Sequence, residues 1–272
     1  MSESLTKTGG PDRGAPLLSC RGVSKYFGAM AAVKDLSFDL REGEIFGIGG
    51  PNGAGKTTLF EVISGLSPAD RGEVVFDGRD ITAWAPEAIC HAGLARVFQS
   101  NAAFDSLTVA QNVVIGSVYG HTRLPLVPLR IDRAAYERVQ AALELVGLID
   151  KAGQRADRLP VIDRKLLMFA SAIASEPKLL MLDEPVGGLN PHEIERIQRL
   201  VRDLAGRGTT IILIEHVMRF MVQLAERVMI MHHGEKIFEG PAAQLPRDPT
   251  VASVYLGERA ARRLTRFIEQ TA

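Results

Sequence analysis

The run Gly50-Pro51-Asn52-Gly53-Ala54-Gly55-Lys56-Thr57-Thr58 has the spacing G-x-x-x-x-G-K-[ST]. Glycines at these places let a backbone wrap closely around phosphate, amide N–H groups at a helix start point at anionic oxygens, and Lys56 adds a cation. Thr57 can place its hydroxyl on Mg²⁺. A second constellation is Asp183-Glu184, which ends the apolar run Leu179-Leu180-Met181-Leu182. Two adjacent carboxylates at the end of a buried strand suit a metal-holding aspartate, Asp183, followed by a glutamate, Glu184, that polarises or orients an attacking water. A third apolar run, Ile211 to Ile214, ends in Glu215-His216 and brings a histidine to the same edge.

The elements that position these residues alternate between strand and helix. Ile45 to Gly49 reads as a short strand, the glycine-rich turn follows, and Lys56 to Gly65 carries Leu59, Val62 and Ile63 at helical spacing. Upstream, Leu17 to Gly47 reads as strands, with Leu36, Phe38 and Leu40 alternating with Ser37, Asp39 and Arg41. Glu73 to Phe76, closed by Asp77-Gly78, and Leu94 to Phe98 read as further strands. From Thr108 to Gly147 the pattern is helical, interrupted by Pro125 and Pro128; Asp132 is placed to cap a helix that shows Tyr136, Val139, Leu143 and Val146 on one face and stops at Gly147. Helices are expected over Arg164 to Ser175, Pro191 to Ala205 and Val217 to Ala225. Asn190-Pro191-His192-Glu193 marks the second of these starts, through a capping asparagine and a returning glutamate. His232-His233 reads as a strand end and Trp84 as a packing residue. Alternating strands and helices with uniformly apolar strands imply an α/β fold around a parallel sheet covered on both faces.

Composition fits this reading. The 272 residues are 46% hydrophobic and 24% charged, enough for a buried core, and 32 Lys and Arg balance 32 Asp and Glu. With no net field to attract nucleic acid or anionic lipid, an anion site must be local. Cys20 and Cys90 form neither a disulfide framework nor a zinc motif, which fits the reducing cytosol. Residues 1–16 read as a flexible tail without a signal peptide's apolar segment, and no stretch of the sequence is long and apolar enough to span a membrane.

With these motifs in order, the chain resembles an ABC transporter nucleotide-binding subunit from about Leu17 to Gly257. That resemblance implies an ABC ATPase P-loop fold with a RecA-like mixed sheet core, an N-terminal antiparallel β subdomain and a helical subdomain inserted at about residues 100–176. It implies further that residues 17–257 form the nucleotide-binding domain and 258–272 a helical tail. Val23-Ser24-Lys25-Tyr26-Phe27-Gly28 matches the family's adenine-stacking loop, with Phe27 at the stacking position and Val33 beside it. Arg96-Val97-Phe98-Gln99 matches the Q-loop, in which Gln99 contacts Mg²⁺; Gly187-Gly188-Leu189-Asn190 matches the D-loop and His216 the switch histidine. The implied nucleotide contacts are thus Phe27, Val33, Asn52, Gly53, Ala54, Gly55, Lys56, Thr57, Thr58, Gln99, Asp183, Glu184 and His216. The implied Mg²⁺ set is Thr57, Gln99 and Asp183, and the catalytic set Glu184, His216 and Gln99.

The forms Gly-Leu-Asn, Ile-Glu-His and Tyr255-Leu256-Gly257-Glu258 are most similar to ATPases of branched-chain amino acid uptake systems, whose relatives import urea or amides or extract lipopolysaccharide. The implied setting is the cytoplasmic face of the plasma membrane. The implied partners are a second ATPase subunit, two permease subunits and, indirectly, an external solute-binding protein; nucleic acid is not among them.

One motif departs from the family. Where its signature, typically Leu-Ser-Gly-Gly-Gln, precedes the Walker B strand, this chain reads Leu159-Pro160-Val161-Ile162-Asp163. Pro160 supplies neither hydroxyl nor N–H, Val161 and Ile162 add bulk, and Asp163 adds negative charge while being placed to cap a helix from Arg164. An asymmetric heterodimer is therefore expected. The competing readings are a regulatory module that binds ATP with little hydrolysis, a soluble ABC protein of DNA or ribosomes, and a small-molecule kinase. The tail's Arg259, Arg262, Arg263 and Arg266, with Leu264, Phe267 and Ile268, read as a solvated helix or as a basic amphipathic one facing a membrane or partner.

Overall fold

The computed structural model describes residues 15–99, 102–121 and 132–271. Residues 1–14 of the expected tail and the proline interruption at Pro125 and Pro128 lie outside them. Strands β1 (Leu18–Phe27) and β2 (Met30–Leu40) form an antiparallel hairpin that turns at Gly28. Leu36, Phe38 and Leu40 point into the core, as their alternation predicts. Strand β3 (Ile45–Gly49) leads through the glycine-rich turn into helix α1 (Lys56–Ile63). Strand β4 (Arg71–Phe76) pairs antiparallel with β1 and turns through Asp77-Gly78, both at positive φ, into the two-residue β5 (Arg79–Asp80). These strands make one antiparallel sheet in the order β2-β1-β4-β5.

Helix α2 (Pro86–His91) precedes β6 (Leu94–Val97), and α3 (Val109–His121), α4 (Arg133–Val146) and α5 (Val161–Ile173) pack on one another before β7 (Leu179–Asp183). Helix α6 (Pro191–Gly206), β8 (Thr210–Ile214), α7 (Met218–Leu224), β9 (Arg227–His232) and β10 (Glu235–Pro241) follow. The second sheet runs β10-β9-β3-β8-β7-β6; all its pairings are parallel except β10 with β9. Its central strands are buried on both faces. Ile45, Leu180, Leu182, Ile211 and Leu213 face α5, α6 and α7, while Phe46, Ile48, Met181, Ile212 and Ile214 face α1 and the antiparallel sheet. The mixed sheet core beside an antiparallel β unit is the α/β architecture that the resemblance implies. Trp84, partly buried, packs against the core between α1 and the antiparallel sheet.

Helix boundaries follow their caps. Asp132 accepts from the Ala135 amide at 2.7 Å, and Gly147 closes α4 with φ 71°. Asn190 and Glu193 form the reciprocal capping box at the start of α6. Two expectations are corrected. Tyr136 turns outward and Ala135 and Ala142 complete the buried face of α4 instead. Helix α5 begins at Val161, three residues before Arg164, with Pro160 in the capping position. Asp163 therefore does not cap; its carboxylate is buried and paired with Lys151 and Arg196.

The chain ends in a short helix α8 (Pro249–Val251), a π turn over Ala252–Leu256 and helix α9 (Glu258–Thr271). Helix α9 is not simply solvated. Ala261 and Leu264 are buried, Phe267 and Ile268 pack on the main core, and the Arg219 guanidinium of α7 lies 5.0 Å from the Phe267 ring centroid. Its apolar face is spent on the protein itself, leaving Arg259, Arg262, Arg263 and Arg266 on the outer side. No helix among the described residues is long and apolar enough to cross a membrane.

Candidate nucleotide site

The glycine-rich turn sits at the carboxyl edge of the parallel sheet because β3 ends there. Gly50, Gly53 and Gly55 all have positive φ. A Cβ on Gly50 would lie 2.2 Å from the Met231 carbonyl oxygen and one on Gly55 1.9 Å from that of Ala32, so neither position admits a side chain. Helix α1 has no side-chain cap, so its first amides remain available to an anion. Lys56 folds back into the cradle, its Nζ donating to the Gly50 and Pro51 carbonyls at 2.8 and 2.9 Å. Burial holds its pKa below the usual lysine value, an effect opposed by the Glu184 and Asp183 carboxylates. Asn52, Gly53 and Thr57 are exposed, Thr58 is half-buried and Ala54 is buried.

The ends of β7 and β8 deliver their polar residues beside this cradle. Asp183 is 3% exposed and accepts from Arg96 at 2.6 Å. Glu184, at the next residue, has φ 49°, a left-handed conformation that costs a non-glycine residue roughly 1–2 kcal/mol. That backbone bends the carboxylate out of the strand. One oxygen meets His216 Nε2 at 2.6 Å and the other accepts from Gln99 Nε2 at 2.6 Å. The structure thus brings Lys56, Asp183, Glu184, His216 and Gln99 to one edge, where a polyphosphate with a divalent ion fits the cradle, the cation and the carboxylates.

The two residues offered for the base separate. Phe27 is 51% exposed at the end of β1, with the Lys25 ammonium 5.8 Å from its ring centroid. Val33 is fully buried in the core, so its side chain offers no open surface beside Phe27; its neighbour Ala32 abuts Gly55 through the backbone. Val33 lies three residues before Leu36, across a register shift of the β1–β2 pairing, and that shift turns it inward.

Several participants are not singled out by their own spacing. Arg96, in β6, is the buried partner of Asp183, with its guanidinium carbon over the Phe60 and Phe98 rings at 5.6 and 4.8 Å from their centroids. Glu215 is buried, and desolvation raises its pKa despite three amides donating to it. Lys165 and Tyr255 approach the same carboxylates, and burial lowers the pKa of the lysine and raises that of the tyrosine, whose hydroxyl meets the Gly50 backbone. A charged residue at the inner end of an apolar strand is the signal for Glu215; nothing local to the sequence marks the others.

At the start of α5, where the signature was expected, Pro160 and Val161 are exposed, Val161 at 61%, while Leu159 and Ile162 turn into the core. The start of α5 therefore presents apolar carbon to the surface.

Comparison with known proteins agrees with this geometry. The ABC transporter family profile matches residues 33–187. The high-affinity branched-chain amino acid transport ATP-binding protein LivG of Salmonella typhimurium is 33% identical over 252 residues, covering 89% of this chain and 98% of its own length. The lipopolysaccharide export system ATP-binding protein LptB of Acidithiobacillus ferridurans is 34% identical over 243 residues, with the same coverages of 89% and 98%. Among solved structures, a nucleotide-free ATP-binding cassette of an ABC transporter superposes with a TM-score of 0.81 at 30% identity, covering 89% of this chain and 100% of that one. The cradle, the paired carboxylates, the histidine and these relatives together show that the chain belongs to the ABC transporter family, as an ATP-hydrolysing nucleotide-binding subunit.

Proposed function

We propose that this subunit powers uptake of branched-chain amino acids or related small polar solutes through two permease subunits, as one half of an asymmetric ATPase heterodimer at the cytoplasmic face of the plasma membrane. The cassette spans residues 17–257, with the inserted helical unit at about 100–176. The likeness to LivG supports the cargo class, and the export assignment of LptB marks the alternative direction.

ATP would lie with its base against Phe27, its phosphates in the cradle of Asn52 to Thr58 and its terminal phosphate against the Lys56 ammonium. Binding requires Lys56 to leave the Gly50 and Pro51 carbonyls, exchanging two neutral acceptors for anionic oxygens. Thr57, Gln99 and Asp183 would hold Mg²⁺, which supplies charge neutralisation on the phosphates. Glu184 would orient the attacking water and accept its proton, and His216, beside Glu184 at the same edge, would contact the terminal phosphate. Glu184 must first release Gln99 and His216, which occupy both of its oxygens. Gln99 thereby ties nucleotide state to the cavity of about 350 Å³ between α3, α5 and β6, whose walls include Phe98, Phe104, Tyr119 and Met168. A permease segment docked there would feel the change.

The observation that carries the asymmetry is the start of α5. Exposed Pro160 and Val161 supply no hydroxyl to clamp a phosphate bound on the opposite subunit, and a lost donor of this type costs on the order of 10²-fold in turnover. This chain's own cradle would then fire against the signature of another subunit. The test is the mass of the Glu184→Gln protein with ATP and Mg²⁺ by light scattering, alone and with a candidate second ATPase. A monomer that dimerises only with the second subunit is expected; a dimer formed alone would refute the heterodimer. Pro160→Ser, Val161→Gly and Ile162→Gly together should raise turnover of the mixed dimer, and unchanged turnover would refute the weakened-clamp argument.

A further inference from the structure

Glu215 is the last buried residue of the β8 line, 2% exposed, one position before the switch histidine. Its carboxylate makes no ion pair at hydrogen-bonding range among the described contacts. It is instead shared among three backbone amides: Oε1 accepts from Val186 at 3.0 Å, and Oε2 accepts from His216 at 3.0 Å and Val217 at 3.2 Å. Val186 immediately precedes Gly187-Gly188-Leu189-Asn190, and the amide of Glu184 donates to the Ile214 carbonyl at 3.0 Å. The turn after β7 and the turn after β8 are thus tied at both ends, by a backbone bond behind Glu184 and by the Glu215 side chain in front.

We propose that Glu215 is a positioning residue that fastens the turn carrying His216 to the turn entering Gly187–Asn190, so that the reach of the imidazole to Glu184 is set by the place of that turn. This rests on the hydrolytic reading of the site. The physical argument is one of exclusive chemistry. Three N–H groups converge on one side chain, and only a group with acceptors on both branches satisfies them; an apolar residue leaves all three unpaired, and an amide sets an NH₂ against at least one N–H. Glycines 187 and 188 leave the following loop compliant. Without the tie, the amides of Val186, His216 and Val217 lose their common acceptor, and the only side-chain link left between the two turns among the described contacts is the Glu184–His216 contact itself, which the nucleotide must open. Displacement of a catalytic group by about 1 Å costs on the order of 10²-fold in rate. The tie therefore links a loop on one side of the carboxylates to the histidine on the other.

The test uses the full chain with Glu215→Gln, which preserves shape, and Glu215→Asp, which keeps charge but is one methylene too short to span both turns. Equilibrium binding of a fluorescent ATP analogue with Mg²⁺ should stay within about twofold, because the side chain does not touch the cradle, while turnover falls about 10²-fold at unchanged KM. The nitrogen-15 imidazole signal of His216, identified by its loss in His216→Gln, should move in both variants. A purely structural role would lower the melting temperature without splitting kcat from KM and without moving that signal, which would overturn the proposal. Where the parent chain hydrolyses no ATP, alone or with a second ATPase, the hydrolytic reading fails separately; an unmoved His216 signal then still overturns the tie, and a moved one supports it.

Discussion

Asp183→Asn probes the buried ion pair beneath the nucleotide site. The Arg96 and Asp183 side chains are 7% and 4% exposed and meet at 2.6 Å, while Arg96 Nε is buried without a partner. Removing the negative partner leaves a guanidinium whose remaining compensation is a long contact to Ser64 Oγ at 3.4 Å and the faces of Phe60 and Phe98. Breaking a buried pair from one side costs about 3–5 kcal/mol, and the two aromatic faces put this case near about 3. At roughly 2 °C per kcal/mol for a chain of this size, the melting temperature should drop by about 6 °C. Arg96→Met should also destabilise, by leaving Asp183 unpaired. The double variant, which replaces both charges, should recover about 2 kcal/mol or more of the summed losses. Urea unfolding of the four proteins completes the cycle. A coupling below about 0.5 kcal/mol would show that the pair is solvated and the argument from burial wrong.

Other outcomes follow from single features of the structure. Cys20 is fully buried and desolvation raises its thiol pKa far above the ordinary value, so a thiol reagent at pH 8 should modify it only as fast as the protein unfolds; modification at the rate of a free thiol would refute its burial. Asn190→Ala removes the side-chain half of the capping box at α6, the Oδ1 that accepts from the Glu193 amide, while the backbone N–H of residue 190 keeps its bond to the Glu193 carboxylate; it should cost about 1 kcal/mol by urea unfolding, whereas Asn190→Asp should be close to neutral. Burial raises the pKa of Glu215 in the folded chain, with Glu184, Lys165, Tyr255 and His216 around it. Its contribution to stability is therefore fully present below the unfolded pKa and is lost as pH rises through the folded one. The stability of Glu215→Gln relative to the parent should accordingly increase from acid towards neutral pH, and a difference independent of pH would show that the group titrates alike folded and unfolded.

The sequence by itself determined the phosphate cradle, because only glycine tolerates the close backbone approach at residues 50 and 55 and a helix start leaves free amides behind them. It determined the central strands as well, since runs as uniformly apolar as Leu179–Leu182 and Ile211–Ile214 are stable only when covered on both faces. Caps written in a few adjacent residues, Asp132, Gly147 and Asn190-Pro191-His192-Glu193, fixed helix ends for the same reason: their partners lie within one turn. The start of α5 was different. Asp163 looks like a local cap, but Lys151 and Arg196 from other elements claim its carboxylate, and the helix runs back to Val161. Tyr136 kept the face its helical period assigned it only until packing chose which side was inside, and Val33, offered beside Phe27 by the resemblance, is buried where the β1–β2 register shifts. Tertiary structure alone decided that Arg96 pairs with Asp183, that Glu184 is held between Gln99 and His216, and that the apolar stripe of α9 is covered by the protein rather than by a partner. Each joins residues far apart in the chain, where sequence spacing carries no distance and only the closed sheet and its helices bring the groups within reach.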